Sequence, residues 1–307
     1  MKIDTNTKLY VGNALVDKVY QGDEQIFPAS PINNYLTIVS LEDDNQIGWK
    51  TSDSLETKTI NVSTDDGQTW LQKTSSTGGT TLATLNTGDK LLIKGSNTNY
   101  GTVSNNNYFT SSGQFNVEGN IMSLIYGDNF IGQTTLSGAS TFKCLFSGSK
   151  VVDTSNLILP ATTLKNYCYM EMFYNCTSLI TVPELPATTL TKHCYRGMFY
   201  ACASLTTAPS LPATTLADYC YEEMFRGCRS IATAPSLPAT TLAKGCYEYM
   251  FGTCTNLTTA PDLPATTLAS SCYSFMFYEC AALTTAPVLS ATTLIDYCYQ
   301  GMFSDCT

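Results

Sequence analysis

A ruler of 26 residues runs along the C-terminal half of this chain, and it limits the possible folds more than any other feature. The hexamer Leu-Pro-Ala-Thr-Thr-Leu begins at Leu159, Leu185, Leu211, Leu237 and Leu263, and returns as Leu-Ser-Ala-Thr-Thr-Leu at Leu289. Each start lies 26 residues after the last. Every copy then carries Cys-Tyr-x-x-Met-Phe-x-x-Cys, at 168–176, 194–202, 220–228, 246–254, 272–280 and 298–306. A third piece, Leu-Thr-Thr-Ala-Pro, closes the unit at 205–209, 257–261 and 283–287. Fixed periods of about 20 to 50 residues mark stacked repeats, in which each unit buries its apolar face against its neighbours.

The letters of one unit suggest its shape. Apolar residues at i, i+1, i+4, i+5 and i+8 of the Cys-Tyr motif form a helical stripe, so a short helix is expected there. The Thr-rich, Pro-punctuated pieces favour short extended segments and corners. Neighbouring coils would then add strands side by side into a parallel sheet, about 4.8 Å apart. A degenerate first coil is visible at 142–160, with Leu145-Phe146 in place of Met-Phe, Ser149 for the second Cys and Val152 for Leu. The last copy stops just after Cys306. Its end would be the cap itself, be covered by a partner, or be continued by further chain.

Twelve of the 13 Cys fall in two columns of this ladder. The spacing is Cys-x7-Cys with no His partner, unlike the close pairs of zinc sites. Eight helical residues rise about 12 Å, too far for a disulfide within a unit. Side chains of one column point in parallel from coil to coil, which bridges poorly. Free, buried, inert thiols acting as small apolar groups are expected, and Cys144, off the ladder, is read the same way.

Phe-x-x-Cys-x-x-Leu followed by a Pro-ended segment (Phe173, Cys176, Leu179, Pro183) resembles the BspA-like, or Treponema pallidum-type, leucine-rich repeat. The resemblance covers about 133–307. The added Leu-Pro-Ala-Thr-Thr-Leu makes this unit longer than is usual in that family. Members of the family are surface and adhesion modules, so the resemblance implies binding rather than catalysis.

The N-terminal half has a different grammar. Tyr10-Val11-Gly12 with Val16 is echoed ten residues later by Tyr20-Gln21-Gly22 with Ile26, which suggests a pair of short β-hairpins. So short a segment cannot supply a core alone. It is either an extra strand pair on the next domain or a docking segment that folds against a larger assembly. The string from Leu9 to Pro28 resembles the short N-terminal module of tailed-phage virion proteins, where it precedes a fibre or decoration domain. That resemblance makes Tyr10, Val11, Gly12, Tyr20, Gly22, Ile26 and Phe27 candidate docking residues.

From Tyr35 to about Val117 the pattern is all-β. Strand-like runs at 35–39, 59–62, 70–72 and 90–94 are separated by Gly, Asn, Asp and Ser clusters, which suits a small immunoglobulin-like sandwich. The segment Ser63-Thr-Asp65-Asp66-Gly67-Gln-Thr69-Trp70 resembles the Asp-box of sialidases and other β-propellers. One copy makes no propeller, and it is read as a device for folding a hairpin. The expected fold class is mainly β with short helices. The expected domains are a docking segment at 1–33, a sandwich at 34–117, a lead-in and degenerate first coil at 118–158, and a leucine-rich-repeat solenoid of 26-residue coils at 159–307.

Composition narrows the function. Net charge is -9, with no Lys/Arg run longer than two, so a basic footprint for nucleic acid is missing. No segment approaches the roughly 18 apolar residues of a membrane span. The first 28 residues lack the basic, apolar and small-residue regions of a secretory signal, which argues against an exported adhesin. There is no Gly-x-Ser-x-Gly, P-loop or dinucleotide fingerprint. The single His, His193, occupies a slot filled elsewhere by Tyr167, Tyr219, Gly245, Ser271 and Tyr297, and is expected to be solvated. Glu171, Glu222, Glu223, Glu248 and Glu279 occupy variable slots, and none stands out as half of a catalytic pair. No catalytic, cofactor or metal residues are assigned.

In a repeat protein fixed letters build the core and varied letters face outward. The slot after Met-Phe reads Tyr174, Tyr200, Arg226, Gly252, Tyr278, Ser304, and the slot before Cys-Tyr adds Tyr167, Tyr219 and Tyr297. Tyr and Arg are favoured contact residues, and aromatic columns suit the flat apolar faces of sugars. The alternative is packing between adjacent coils. The candidate receptor-binding residues are therefore Tyr174, Tyr200, Arg226, Tyr278, Tyr167, Tyr219 and Tyr297.

These resemblances imply a virion component in the style of crAss-like phages of Bacteroides. It would be a head fibre or decoration appendage, made in the host cytoplasm, docked to capsid or other virion proteins by its N-terminus. Its solenoid would meet a host glycan or protein. Homo-oligomers, with trimers the first guess, are common among fibres. A tail-fibre component and a bacterial BspA-like surface adhesin are the alternatives.

Overall fold

The computed structural model describes residues 34–306 and, before them, only the backbone of five short strands. Those strands are β1 (Lys2–Ile3), β2 (Leu9–Val11), β3 (Ala14–Leu15), β4 (Val19–Gln21) and β5 (Glu24–Phe27). β2 pairs with β1 and β3, and β4 with β5, all antiparallel, so the two hairpins legible in the echoed motif are present.

The chain is mainly β. Six strands follow from Leu36: β6 (Leu36–Ser40), β7 (Asn45–Thr51), β8 (Thr59–Ser63), β9 (Leu71–Thr74), β10 (Thr80–Leu85) and β11 (Lys90–Gly95). β12 (Asn107–Ser111), β13 (Phe115–Asn120) and β14 (Leu157–Ile158) complete them, with one short helix, α1 (Ser123–Tyr126). One sheet has the order β14-β13-β6-β11-β8-β9 and a second the order β10-β7-β12. Alternation selects the buried face: Leu91 and Ile93 of β11, Ile60 and Val62 of β8, and Ile47 and Trp49 of β7 all lie inside. β7, β10 and β12 were not expected as strands. Each is short, and in β7 Asn45 and Gly48, weak strand formers, interrupt the apolar alternation of Ile47 and Trp49.

The Asp-box segment is the turn between β8 and β9. Thr69 donates from its backbone N–H to Asp65 Oδ1 at 2.9 Å and from its hydroxyl to Oδ2 at 2.6 Å, while Ser63 Oγ donates to Oδ1 at 2.6 Å. These hydrogen bonds lower the Asp65 pKa to about 2. Asp65 organises a turn, as the single copy implied.

β13 ties the sheets to the repeats. It pairs with β6 on one side and, parallel, with β14 on the other, and it runs through residue 117, where a boundary was expected. The core continues from the sheets into the repeats as one cluster.

The repeat backbone differs from expectation. The Cys-Tyr-x-x-Met-Phe-x-x-Cys motifs contain no helix; each is a ribbon of successive turns. In the copy at 168–176, Cys168, Met170, Met172, Tyr174 and Cys176 donate their N–H to the carbonyl three residues back, at 3.1–3.3 Å. The intervening Tyr167, Tyr169, Glu171, Phe173 and Asn175 donate instead to the next unit, at Lys192, Cys194, Arg196, Met198 and Tyr200, over 2.7–3.0 Å. Every fourth residue takes a left-handed conformation: Tyr167, Glu171 and Asn175 here, His193, Gly197 and Ala201 in the next copy. Non-glycine residues are strained there by about 1–2 kcal/mol each. Thirty inter-unit bonds, five at each of six junctions, offset that strain. A strict period of four keeps Cys168, Met172 and Cys176 in one line, whereas a helix at 3.6 residues per turn drifts. An i, i+4, i+8 stripe is common to both, which is why it reads as a helix.

The Thr-rich pieces also fall short of a continuous sheet. They meet in isolated parallel bridges, such as Thr189↔Thr215, Thr241↔Thr267 and Thr233↔Thr259. Pro in every piece but the last, where Ser290 takes its slot, removes a donor that a ladder would need.

Inside the stack two ring columns run unbroken. One passes from Phe142 through Tyr169, Tyr195, Tyr221, Tyr247 and Tyr273 to Tyr299, with centroids 5.6–5.9 Å apart. The other runs from Phe146 through Phe173, Phe199, Phe225, Phe251 and Phe277 to Phe303, at 5.5–5.8 Å. The sheets cap the first coil. Tyr100 stacks on Phe142 and Phe109 on Phe146, while the Tyr100 and Phe109 N–H groups donate to Thr141 and Leu145 carbonyls, each at 2.8 Å.

All 13 cysteines are free thiols, and only Cys306 is not fully buried. The second Cys column is more than filler. Cys176, Cys202, Cys228, Cys254, Cys280 and Cys306 each place Sγ 3.0–3.1 Å from a Phe carbonyl of the preceding coil.

Candidate functional site

The variable slots form outward columns because the turn ribbon repeats in register from unit to unit. Counting from the first Cys of each motif, three columns run along the stack: the slot before it, the two slots after Tyr, and the two slots after Phe.

The first column begins with Tyr167, His193 and Tyr219, whose rings stack at 4.9 and 5.0 Å with planes 13° and 5° apart. His193 is therefore not the solvated residue expected; its imidazole lies between two tyrosines, with its side chain 15% exposed. Burial, with Arg196 and Lys192 beside it, pulls its pKa down to about 4. The column ends over Gly245. A Cβ there would meet the Tyr219 ring at 2.4 Å, so glycine makes the room that ring occupies.

The middle column is charged. Arg196 Nε lies 2.7 Å from Glu222 Oε2, Arg196 Nη2 3.3 Å from Glu223 Oε2, and Arg226 Nη1 2.7 Å from Glu223 Oε1. Burial pushes the Glu222 pKa up to about 7 against the pull of Arg196, and Glu223 and Glu248 add to the rise. His193 Nδ1 stands 3.7 Å from Glu222. Below this network Tyr249 and Phe275 stack at 4.7 Å.

The third column starts with Tyr174 and Tyr200, stacked at 4.9 Å. Arg226 follows, with its guanidinium 4.4 Å from the Tyr249 ring centre and 5.7 Å from that of Tyr200. Tyr278 is unstacked and meets Tyr249 and Phe275 edge-on. Tyr297, in the last unit, is 64% exposed.

The structure thus brings Tyr167, Tyr219, Tyr174, Tyr200 and Arg226 onto one strip and leaves Tyr278 and Tyr297 further along it. Stacking covers one ring face between each pair of neighbours, edges, hydroxyls and the intervening charges meet solvent beside it, and Tyr174, first in its column, is 38% exposed. Sequence reasoning passed over Arg196, Glu222 and Glu223 as members of a network. The alternation of charge along one slot, Arg196 then Glu222, was the available signal.

Of the candidate docking residues, Tyr10 and Val11 belong to β2, Tyr20 to β4, and Ile26 and Phe27 to β5. Gly12 and Gly22, and the side chains of all seven, lie outside the described residues.

Among the described residues no group of three or more His, Cys, Asp or Glu is placed to hold a metal ion, and no helix is long and apolar enough to cross a membrane. Comparison with protein-family models, curated proteins and solved structures finds no match for this chain.

Proposed function

We propose that this chain is a structural appendage of a tailed-phage virion, of the head-fibre or decoration type. Its N-terminal hairpins dock to a capsid or other virion protein, an immunoglobulin-like sandwich follows, and a BspA-like leucine-rich-repeat solenoid is displayed toward the host surface. The observation that carries this reading is the junction between sheets and stack. Tyr100 and Phe109 start the ring columns, their N–H groups start two of the five hydrogen-bond rows, and one core runs from the sheets into the repeats, which supports a continuous projecting body. Projection is what a display element needs, and the varied outward columns supply the contact surface.

The experiment is imaging of intact particles that carry the chain. The reading expects residues 1–33 buried against a virion protein and the repeats pointing outward. A free monomer whose first 33 residues stay accessible in the presence of particles sinks it. Recovery of the chain on a bacterial surface favours the adhesin instead.

A further inference from the structure

Pro-Ala-Thr-Thr-Leu stands unchanged at 160–164, 186–190, 212–216, 238–242 and 264–268, yet these identical pieces meet their neighbours in two different ways. Between the second and third, Leu190 donates its N–H to the Thr215 carbonyl at 2.9 Å, and Thr214 and Thr215 donate to that of Thr188 at 3.2 Å. Between the fourth and fifth the same three bonds recur: Leu242 to Thr267 at 2.9 Å, and Thr266 and Thr267 to Thr240 at 3.0 and 3.2 Å. The first piece is bonded in this way to Thr134 and Leu136 of the lead-in.

The junctions in between are open. Among the described residues the N–H groups of Leu164, Thr188 and Thr189 have no acceptor, and neither have those of Leu216, Thr240 and Thr241. Bonded and open junctions therefore alternate along this edge. The turn ribbon does not alternate; it keeps five bonds at each of the same junctions.

The step from coil to coil accounts for the alternation. Stacked rings on the outer side of the ribbon lie 4.7–5.0 Å apart, while the two core columns step by 5.5–5.9 Å. The coils fan apart from the ribbon inward. Paired strands need about 4.8 Å. An edge that follows the core cannot close at every junction, because drawing one pair together widens the next. Only a bend of the stack closes both.

Two arrangements of one sequence within one chain lie close in free energy, which is the condition for a bistable element. Opening also leaves little unsatisfied. Both Thr of every piece are exposed, so water reaches the freed backbone groups.

We propose that the Thr-rich edge is a hinge line, along which the junctions Leu164–Thr189 and Leu216–Thr241 close and reopen as the stack bends about the ribbon. The outward strip that carries Tyr167, Arg196 and Tyr200 changes its curvature with each bend. The hinge stands whether or not that strip meets a receptor.

The test is residue-resolved NMR of the 307-residue chain. Thr163, Thr189, Thr215, Thr241 and Thr267 each follow Thr and precede Leu, so their amides share one intrinsic exchange chemistry. Thr189 and Thr241 should exchange with solvent at least about tenfold faster than Thr215 and Thr267. They should also show relaxation dispersion on the microsecond-to-millisecond scale, which Thr215 and Thr267 lack. Three results overturn the proposal: equal exchange at all of these amides, fast exchange at Thr189 and Thr241 without dispersion (a fixed gap), or dispersion of the same size at Thr215 and Thr267.

Discussion

The Cys202 thiol lies 3.1 Å from the carbonyl oxygen of Phe173, a bond that crosses from one repeat unit to the one before it. That carbonyl already accepts from the Cys176 N–H, so the thiol supplies its second partner. The degenerate first coil has Ser149 in this slot, another small donor. Cys202→Ala should cost about 1–2 kcal/mol, combining a lost hydrogen bond with a small cavity. Cys202→Ser keeps a donor and should cost less. If urea denaturation finds Ser worse than Ala, the bond contributes nothing and the column is packing alone.

Burial raises the Cys168 and Cys176 thiol pKa from 9.0 to about 12. The folded chain holds these protons where the unfolded chain releases them, so their stabilisation is full below pH 9 and falls as pH rises from 9 toward 12. Denaturant midpoints should therefore drop steadily through that window. Thiol titration of the native chain near pH 8 should reach Cys306 first and the other twelve only on unfolding.

Glu222 and His193 should give opposite pH slopes. The folded Glu222 pKa of about 7 lies above its ordinary 4.5, so its contribution is present below pH 4.5 and lost as pH rises to 7. The folded His193 pKa of about 4 lies below 6.5, so its contribution is present above 6.5 and lost as pH falls to 4. Glu222→Gln should remove the first slope and leave the second, and His193→Asn the reverse. Melting temperatures measured from pH 4 to 8 in the two variants decide it; identical profiles would falsify the assignment.

Two glycines at left-handed positions should respond differently to alanine. At Gly245 a Cβ meets the Tyr219 ring at 2.4 Å, and that ring is backed by His193. At Gly197 it meets the flexible Glu171 side chain at 3.3 Å. Gly197→Ala should cost about 1 kcal/mol of backbone strain, and Gly245→Ala about 1–3 kcal/mol more from overpacking. Equal costs would mean that the Tyr219 ring is free to move aside.

Tyr100→Ala removes the ring that caps one column. A loss of about 3–5 kcal/mol is expected, as for other buried aromatic truncations. Exchange protection at Phe142 and Cys144 should fall before that at Tyr247. Uniform loss along the stack would mean that the cap does not act locally.

The period, the columns and the free thiols were all legible in the letters, because identical residues at identical spacing can only stack. The ribbon was not. Cys168, Met172 and Cys176 satisfy a helix and a four-residue turn equally well, and the choice lies in where the Tyr169 and Phe173 N–H groups go, which no single unit reveals. Strand β7 was missed for a related reason: Asn45 and Gly48 are weak strand formers, and Trp49 is held by partners distant in sequence, the Tyr100 and Phe109 rings packed on it and the Lys58 carbonyl that accepts from its indole N–H. For the candidate site, the slots could be named from variation alone. The orientation of the Tyr167, His193 and Tyr219 rings is a property of neighbours in space and had no trace in any one copy.

Within the turn ribbon, where every backbone hydrogen bond between units points the same way, the stack has an electrical axis. In each row a peptide group accepts from the coil behind on its C=O and donates to the coil ahead on its N–H, so its dipole points along the stack and adds to the next. Five such rows end at Tyr297, Tyr299, Gly301, Phe303 and Asp305. The repeats therefore act like a broad helix with several parallel columns of aligned amides, positive at the far end. Asp296 and Asp305 stand at that positive pole, as acidic residues stand in the first turn of an α-helix.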